Sequence, residues 1–133
     1  MKDSSKEPLG LLADDRYLDA LKTYIKNTPS KYFICHLGAK WCGPCQRMKK
    51  QTWGSRVVKE TMKQAGAELL LLDEAKPEHK KLFLYYKVKR YPTVIFLDKN
   101  DLENPLYRVS GFMNATTMAK TIKGELKDES QHE

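Results

Sequence analysis

Residues 31–37, Lys-Tyr-Phe-Ile-Cys-His-Leu, constrain the fold more than any other stretch of the chain. The run is short, aromatic and β-branched, so it reads as a strand. Its apolar side chains fall on both faces, and such a strand belongs in the middle of a sheet covered on both sides. Side chains alternate along a strand, so Cys35 and His36 point to opposite layers. The rest of the sequence must supply neighbouring strands and two layers of helix.

It does so in a regular order. From Asp14 or Asp15, Tyr17, Leu18, Leu21 and Ile25 recur at helical spacing, and the pattern stops before Pro29. A second helix should begin within Cys42-Gly43-Pro44-Cys45, because proline is tolerated in a first helical turn. Trp53-Gly54 interrupts it. Ser55 then caps a stretch carrying Val57, Val58, Met62 and Ala65, which ends at Gly66. Residues 68–73, Glu-Leu-Leu-Leu-Leu-Asp, read as a second buried strand. A helix over about 78–86 buries Leu82, Phe83 and Tyr86. Residues 93–98 form a strand, 98–101 have turn composition, and 106–110 return antiparallel as a hairpin partner. Asn114 caps a last helix presenting Ala115, Met118, Ile122 and Leu126. The order α-β-α-β-α-β-β-α predicts an α/β fold with a central mixed sheet flanked by helices on both faces. We expect one domain over residues 11–126, a polar leader over 1–10 and a frayed tail over 127–133, since 133 residues suit a single core.

Charge narrows the function classes only a little. Lys and Arg number 24 against 17 Asp and Glu, a net +7, but the excess is dispersed, as on ordinary helical surfaces. The basic and aromatic run 85–91 comes without a nucleic-acid motif, so no nucleic-acid partner is expected. No apolar run approaches the eighteen or so residues that cross a bilayer. The opening residues lack the apolar core of a signal peptide. A cytoplasmic protein is expected if the chain starts natively, and a cell-envelope protein if it is a mature form.

Cys42 and Cys45 stand three residues apart. A zinc site needs four ligands, and the histidines at 36, 79 and 132 lack a matching spacing, so no metal is expected. A purely structural crosslink over so short a loop restrains little chain entropy. A redox pair suits the spacing best. Residues i and i+3 at a helix start share a face at a separation compatible with a disulfide. The unpaired amides and the dipole at that helix end favour a thiolate, the species that attacks disulfides. Cys42, nearer the loop, is the expected exposed nucleophile, and Cys45, one turn in, the shielded resolving thiol. Cys35 reads as a buried structural thiol.

The sequence Trp-Cys-Gly-Pro-Cys (41–45), followed by Tyr-Pro-Thr (91–93), resembles the thioredoxin superfamily. The resemblance covers roughly residues 31–126. It implies the thioredoxin fold, a cis peptide at Tyr91-Pro92 against the disulfide, and a peptide-binding surface lined by Trp41, Tyr91, Pro92, Thr93 and Gly111. A packed aromatic, a strand residue and a strand-end glycine are the competing roles for Trp41, Thr93 and Gly111. Residues 45–62 and 107–123 are similar to the carboxy-terminal thioredoxin-like domain of bacterial transmembrane thiol:disulfide interchange proteins and their free-standing relatives. That similarity implies a reductase relay in the cell envelope.

The sequence departs from these patterns near the cysteines. Thioredoxins usually place a buried aspartate six residues before the first cysteine, where this chain has His36. The interchange domain adds an acid seven residues after it, where this chain has Lys49. The buried lysine common on the next strand has no counterpart in the leucine run. His36 is then either a catalytic base or a satisfied core histidine. The expected activity is a thiol:disulfide oxidoreductase that reduces protein disulfides by a Cys42/Cys45 cycle. The alternative is an adaptor module of the same fold with incidental turnover. No organic cofactor is required, since the cysteines carry the electrons. Expected partners are disulfide-containing protein substrates and a reductase or membrane electron donor, with the protein itself a monomer.

Overall fold

The computed structural model describes residues 15–126; the leader and the tail read from the sequence lie outside the described residues. A 3₁₀ turn at Asp15–Leu18 leads into helix α1 (Asp19–Lys26). There follow β1 (Tyr32–Gly38), α2 (Gly43–Gln51), α3 (Arg56–Ala65), β2 (Ala67–Asp73), α4 (Pro77–Tyr85), β3 (Thr93–Asp98), β4 (Tyr107–Ser110) and α5 (Ala115–Glu125). The sheet order is β2-β1-β3-β4. Strand β1 pairs parallel with β2 and antiparallel with β3, and β3 pairs antiparallel with β4. The strand richest in two-sided apolar character therefore lies inside the sheet.

Two cores follow from that placement. Phe33, Cys35 and Leu37 face one layer with Ile95 and Leu97 of β3, Leu21 and Ile25 of α1, and Leu82 and Phe83 of α4. Ile34 faces the other layer with Val94 and Phe96, Met48, Val58, Met62, Met118 and Ile122, contributed by β3, α2, α3 and α5. Burying such side chains stabilises by about 1.5–3 kcal/mol each, so both layers hold β1 in register. The last residues of β1 then run into the turn that carries the cysteines.

Local chemistry sets the helix ends near the site. Thr52 and Trp53 both donate backbone N–H to the Met48 carbonyl, which closes α2. A Cβ at Gly54 would lie 2.5 Å from the Lys50 carbonyl oxygen, so the turn there tolerates only glycine. Ser55 Oγ then accepts from Val58 N at 3.2 Å and starts α3. Helix α4 begins one residue before the expected start because Pro77 occupies its first turn, and Tyr86 is buried just past its end.

Two expectations are corrected. Strand β2 lies at the sheet edge and is only partly buried, with Leu71 47% exposed. Its leucine run looks like an interior strand, but only β1 pairs with it. Val57 is likewise exposed at the first turn of α3, one position off the face formed by Val58, Thr61 and Met62.

Candidate functional site

Cys42 caps helix α2 in an extended conformation, and its Sγ accepts from the Cys45 backbone N–H at 3.2 Å. Pro44 occupies the first turn, where its missing N–H costs nothing. The two cysteines are joined as a disulfide with Cα atoms 5.2 Å apart. Cys42 retains 5% exposure and Cys45 none. Both sulfurs are therefore buried in the oxidised protein, and Cys42 is not the exposed residue expected from the sequence; it keeps only a slightly larger opening than Cys45. The helix end that receives Cys42 has unpaired amides and positive potential, which favour a thiolate once the bond opens.

Gly38, the last residue of β1, sits directly beneath Cys45. A Cβ there would lie 2.8 Å from Cys45 Sγ and 3.2 Å from His36 Nε2. Neither neighbour is a flexible chain end, so Gly38→Ala must push the cysteine or the imidazole aside. We expect it to lower stability by about 1–3 kcal/mol, read by urea denaturation of the oxidised protein. An unchanged midpoint would show that the space is looser than this geometry.

His36 is fully buried, and its Nδ1 accepts from Trp53 Nε1 at 2.9 Å. Burial pushes its pKa down to about 4, and the nearby Lys49 ammonium adds to the shift. Cys35, on the opposite face, is a free, buried thiol that desolvation pushes up to about 12. Under native conditions at neutral pH, Cys35 should resist alkylation and label only when the chain is unfolded. Rapid native labelling at Cys35, read by peptide mapping, would contradict its placement.

The Tyr91–Pro92 peptide is cis, as the resemblance implies. Tyr91 packs against the cluster formed by Ala39, Cys42 and Cys45. Its ring lies 5.7 Å from that of Trp41, which is 73% exposed, and 5.5 Å edge-on from Phe83. The Pro92 carbonyl accepts from Gly111 N at 2.7 Å, and Gly111 holds φ +101°, a conformation that glycine adopts without strain. Thr93 is fully buried, and its hydroxyl bonds the Arg90 carbonyl at 2.6 Å and Ser110 Oγ at 2.9 Å. Its side chain is thus committed within the loop.

Four residues near the disulfide were not singled out as site residues from sequence. Trp53, read as a helix interruption and as part of the family-like stretch 45–62, holds His36. Gly38 makes room for Cys45. Glu74 accepts from Trp41 Nε1 and from the Tyr91 hydroxyl, both at 3.4 Å, joining the two rim aromatics from the end of β2. Phe112 is partly exposed and carries the Arg47 guanidinium 5.2 Å from its ring centroid. Phe112, beside Gly111, and Trp53, within the family-like stretch 45–62, each had a sequence signal; Gly38 and Glu74 had none. Among the described residues, no group of three or more His, Cys, Asp or Glu is placed to hold a metal ion.

A family model described as thioredoxin-like matches residues 19–99. The thiol:disulfide interchange protein DsbD of Citrobacter koseri is 29% identical over 109 residues, which cover 80% of this chain and 19% of that protein. The chain thus spans about one fifth of the length of this curated relative. The carboxy-terminal domain of Neisseria meningitidis DsbD, in its reduced form, matches with a TM-score of 0.61 at 23% identity, covering 85% of this chain and 97% of that one. A structure titled DsbH oxidoreductase matches with a TM-score of 0.64 at 20% identity, covering 80% of this chain and 78% of its own. The structural matches establish a shared α/β fold.

Proposed function

This chain belongs to the thioredoxin-like family, and on that premise we propose that it is a thiol:disulfide oxidoreductase that reduces protein disulfides through Cys42 and Cys45. One observation carries the reading: of two sulfurs paired at a helix start, one keeps an opening to solvent and the other is sealed beneath it. That asymmetry suits an attacking thiol and a resolving thiol.

In the forward direction the Cys42 thiolate attacks one sulfur of a substrate disulfide. A Cys42–substrate bond forms, and the other substrate sulfur leaves with the bonding electron pair and takes a proton from water. Cys45 then loses its proton and attacks Cys42 Sγ. The intramolecular bond forms, the mixed bond breaks, and the second substrate sulfur leaves as a thiolate. Two electrons have passed from the dithiol to the substrate. Trp41, Tyr91, Pro92, Thr93 and Gly111 would receive the substrate backbone beside the pair, with Phe112 extending the apolar rim. The side chain of Thr93 is occupied, so its part would fall to the backbone.

A reductase or a membrane electron donor would return the pair to the dithiol, and the protein would act as a monomer. An insulin-reduction assay with a chemical thiol as donor tests the activity. The wild-type protein should accelerate precipitation of the reduced chains. A Cys42→Ser, Cys45→Ser double variant that accelerates it equally would defeat the proposal.

A further inference from the structure

The disulfide site leaves one buried polar side-chain atom without a hydrogen-bond partner among the described residues, Nε2 of His36. The other ring nitrogen fixes the state of this one. An indole N–H donates and cannot accept. Nδ1, which receives it at 2.9 Å, must therefore present a lone pair. Burial keeps the ring neutral at physiological pH. A neutral imidazole with a bare Nδ1 carries its single proton on Nε2. That N–H shares with Cys45 Sγ the small space over Gly38, where a Cβ would lie 3.2 Å from one and 2.8 Å from the other.

We propose that Trp53 locks His36 in the Nε2–H form, so that His36 donates a hydrogen bond that stabilises the Cys45 thiolate in the resolving step and does not act as its base. The inference rests on the thiol–disulfide reading above. In the disulfide, Nε2–H has no hydrogen-bond partner. When the pair opens, Cys45 passes its proton to solvent and the thiolate gains this donor. The thiolate then attacks Cys42 Sγ, forming the intramolecular bond, and the substrate sulfur departs with the electron pair of the mixed bond. His36 keeps its proton throughout. Trp53 acts through His36 and is a positioning residue.

Two measurements test this. Long-range proton–nitrogen NMR of ¹⁵N-histidine-labelled protein, with His36 assigned by its loss in His36→Gln, should show Nε2 protonated and Nδ1 bare in oxidised and reduced protein. Trp53→Phe should allow a mixture of the two forms. A proton on Nδ1 in the wild-type protein would overturn the proposal without bearing on the activity. The second measurement mixes reduced protein with dithiobis-nitrobenzoate. Attack by Cys42 appears as a concentration-dependent release of chromophore, and resolution by Cys45 as a concentration-independent one. Relative to the first phase, the second should slow by about 4- to 20-fold in His36→Phe, because the lost hydrogen bond to the thiolate is partly offset by the greater nucleophilicity of a more basic sulfur. His36→Gln, which can donate but cannot serve as a base near neutral pH, should recover most of that loss. Equal slowing in the Gln and Phe variants would establish a base and overturn the proposal. Absence of a second phase in wild-type protein that shows the Nε2–H form would instead defeat the parent reading of a resolving Cys45. Should His36→Phe fail to fold, the tautomer in the wild-type protein still decides.

Discussion

Serine at Cys42 should abolish disulfide reduction, leaving turnover at the level of the buffer control. A serine hydroxyl does not ionise near neutral pH, and the attacking species in exchange is the thiolate. Cys45 cannot substitute, because it is fully buried beneath its partner and next to Gly38. Alanine at Cys45 should also abolish turnover, but one bond later. Cys42 remains at the helix start and still attacks, and nothing then releases the mixed disulfide. Intact-mass analysis after exposure to a disulfide substrate should show a covalent adduct on Cys45→Ala and none on Cys42→Ser. An adduct that forms equally on both variants would place the nucleophile elsewhere.

The second large effect is a loss of stability in acid that belongs to His36. Its folded pKa is about 4 against an ordinary value of 6.5. Between these values the unfolded chain binds the proton and the folded protein does not, so stability rises with pH across that window. The contribution is fully present above about pH 6.5, is lost as the pH falls towards 4, and levels off below. At about 1.4 kcal/mol per pH unit, the difference amounts to roughly 3 kcal/mol. The cause is burial first, with the Lys49 charge adding to it. His79, also shifted down chiefly by burial, changes stability in the same direction. Comparison with His36→Gln removes that shared part along with the carboxylates. Urea denaturation of the oxidised proteins at pH 7 and pH 4 should show the wild type losing about 3 kcal/mol more than the variant. Equal losses would mean that His36 accepts a proton without leaving its site.

The parts of this molecule that local pattern controls were legible in its sequence. The two-sided apolar run 31–37 became an interior strand. The turn at Trp53-Gly54 and the caps at Ser55 and Asn114 fell where glycine sterics and side-chain capping put them. The leucine run of β2 misled, because composition records apolarity but not how many strands will pair with it. The cysteine pair was legible because both residues lie on one helical turn. Trp53 was legible as part of the family-like stretch 45–62, but its pairing with His36 was not, nor was Glu74, because each reaches its partner across the fold, 17 residues from His36 and 33 from Trp41. Gly38 escaped notice for a related reason: nothing in the sequence shows that a cysteine seven residues later occupies the space of its missing side chain.

The central claim, that Cys42 and Cys45 pass two electrons to a disulfide substrate, is tested most directly by stoichiometry in one turnover. Reduced protein is mixed with oxidised insulin, quenched in acid and alkylated, and the state of each cysteine is read by mass. One Cys42–Cys45 disulfide should form for each substrate disulfide lost, with Cys35 still a thiol. A substrate reduced while the pair remains a dithiol, or a pair that remains reduced beside intact substrate, would contradict it.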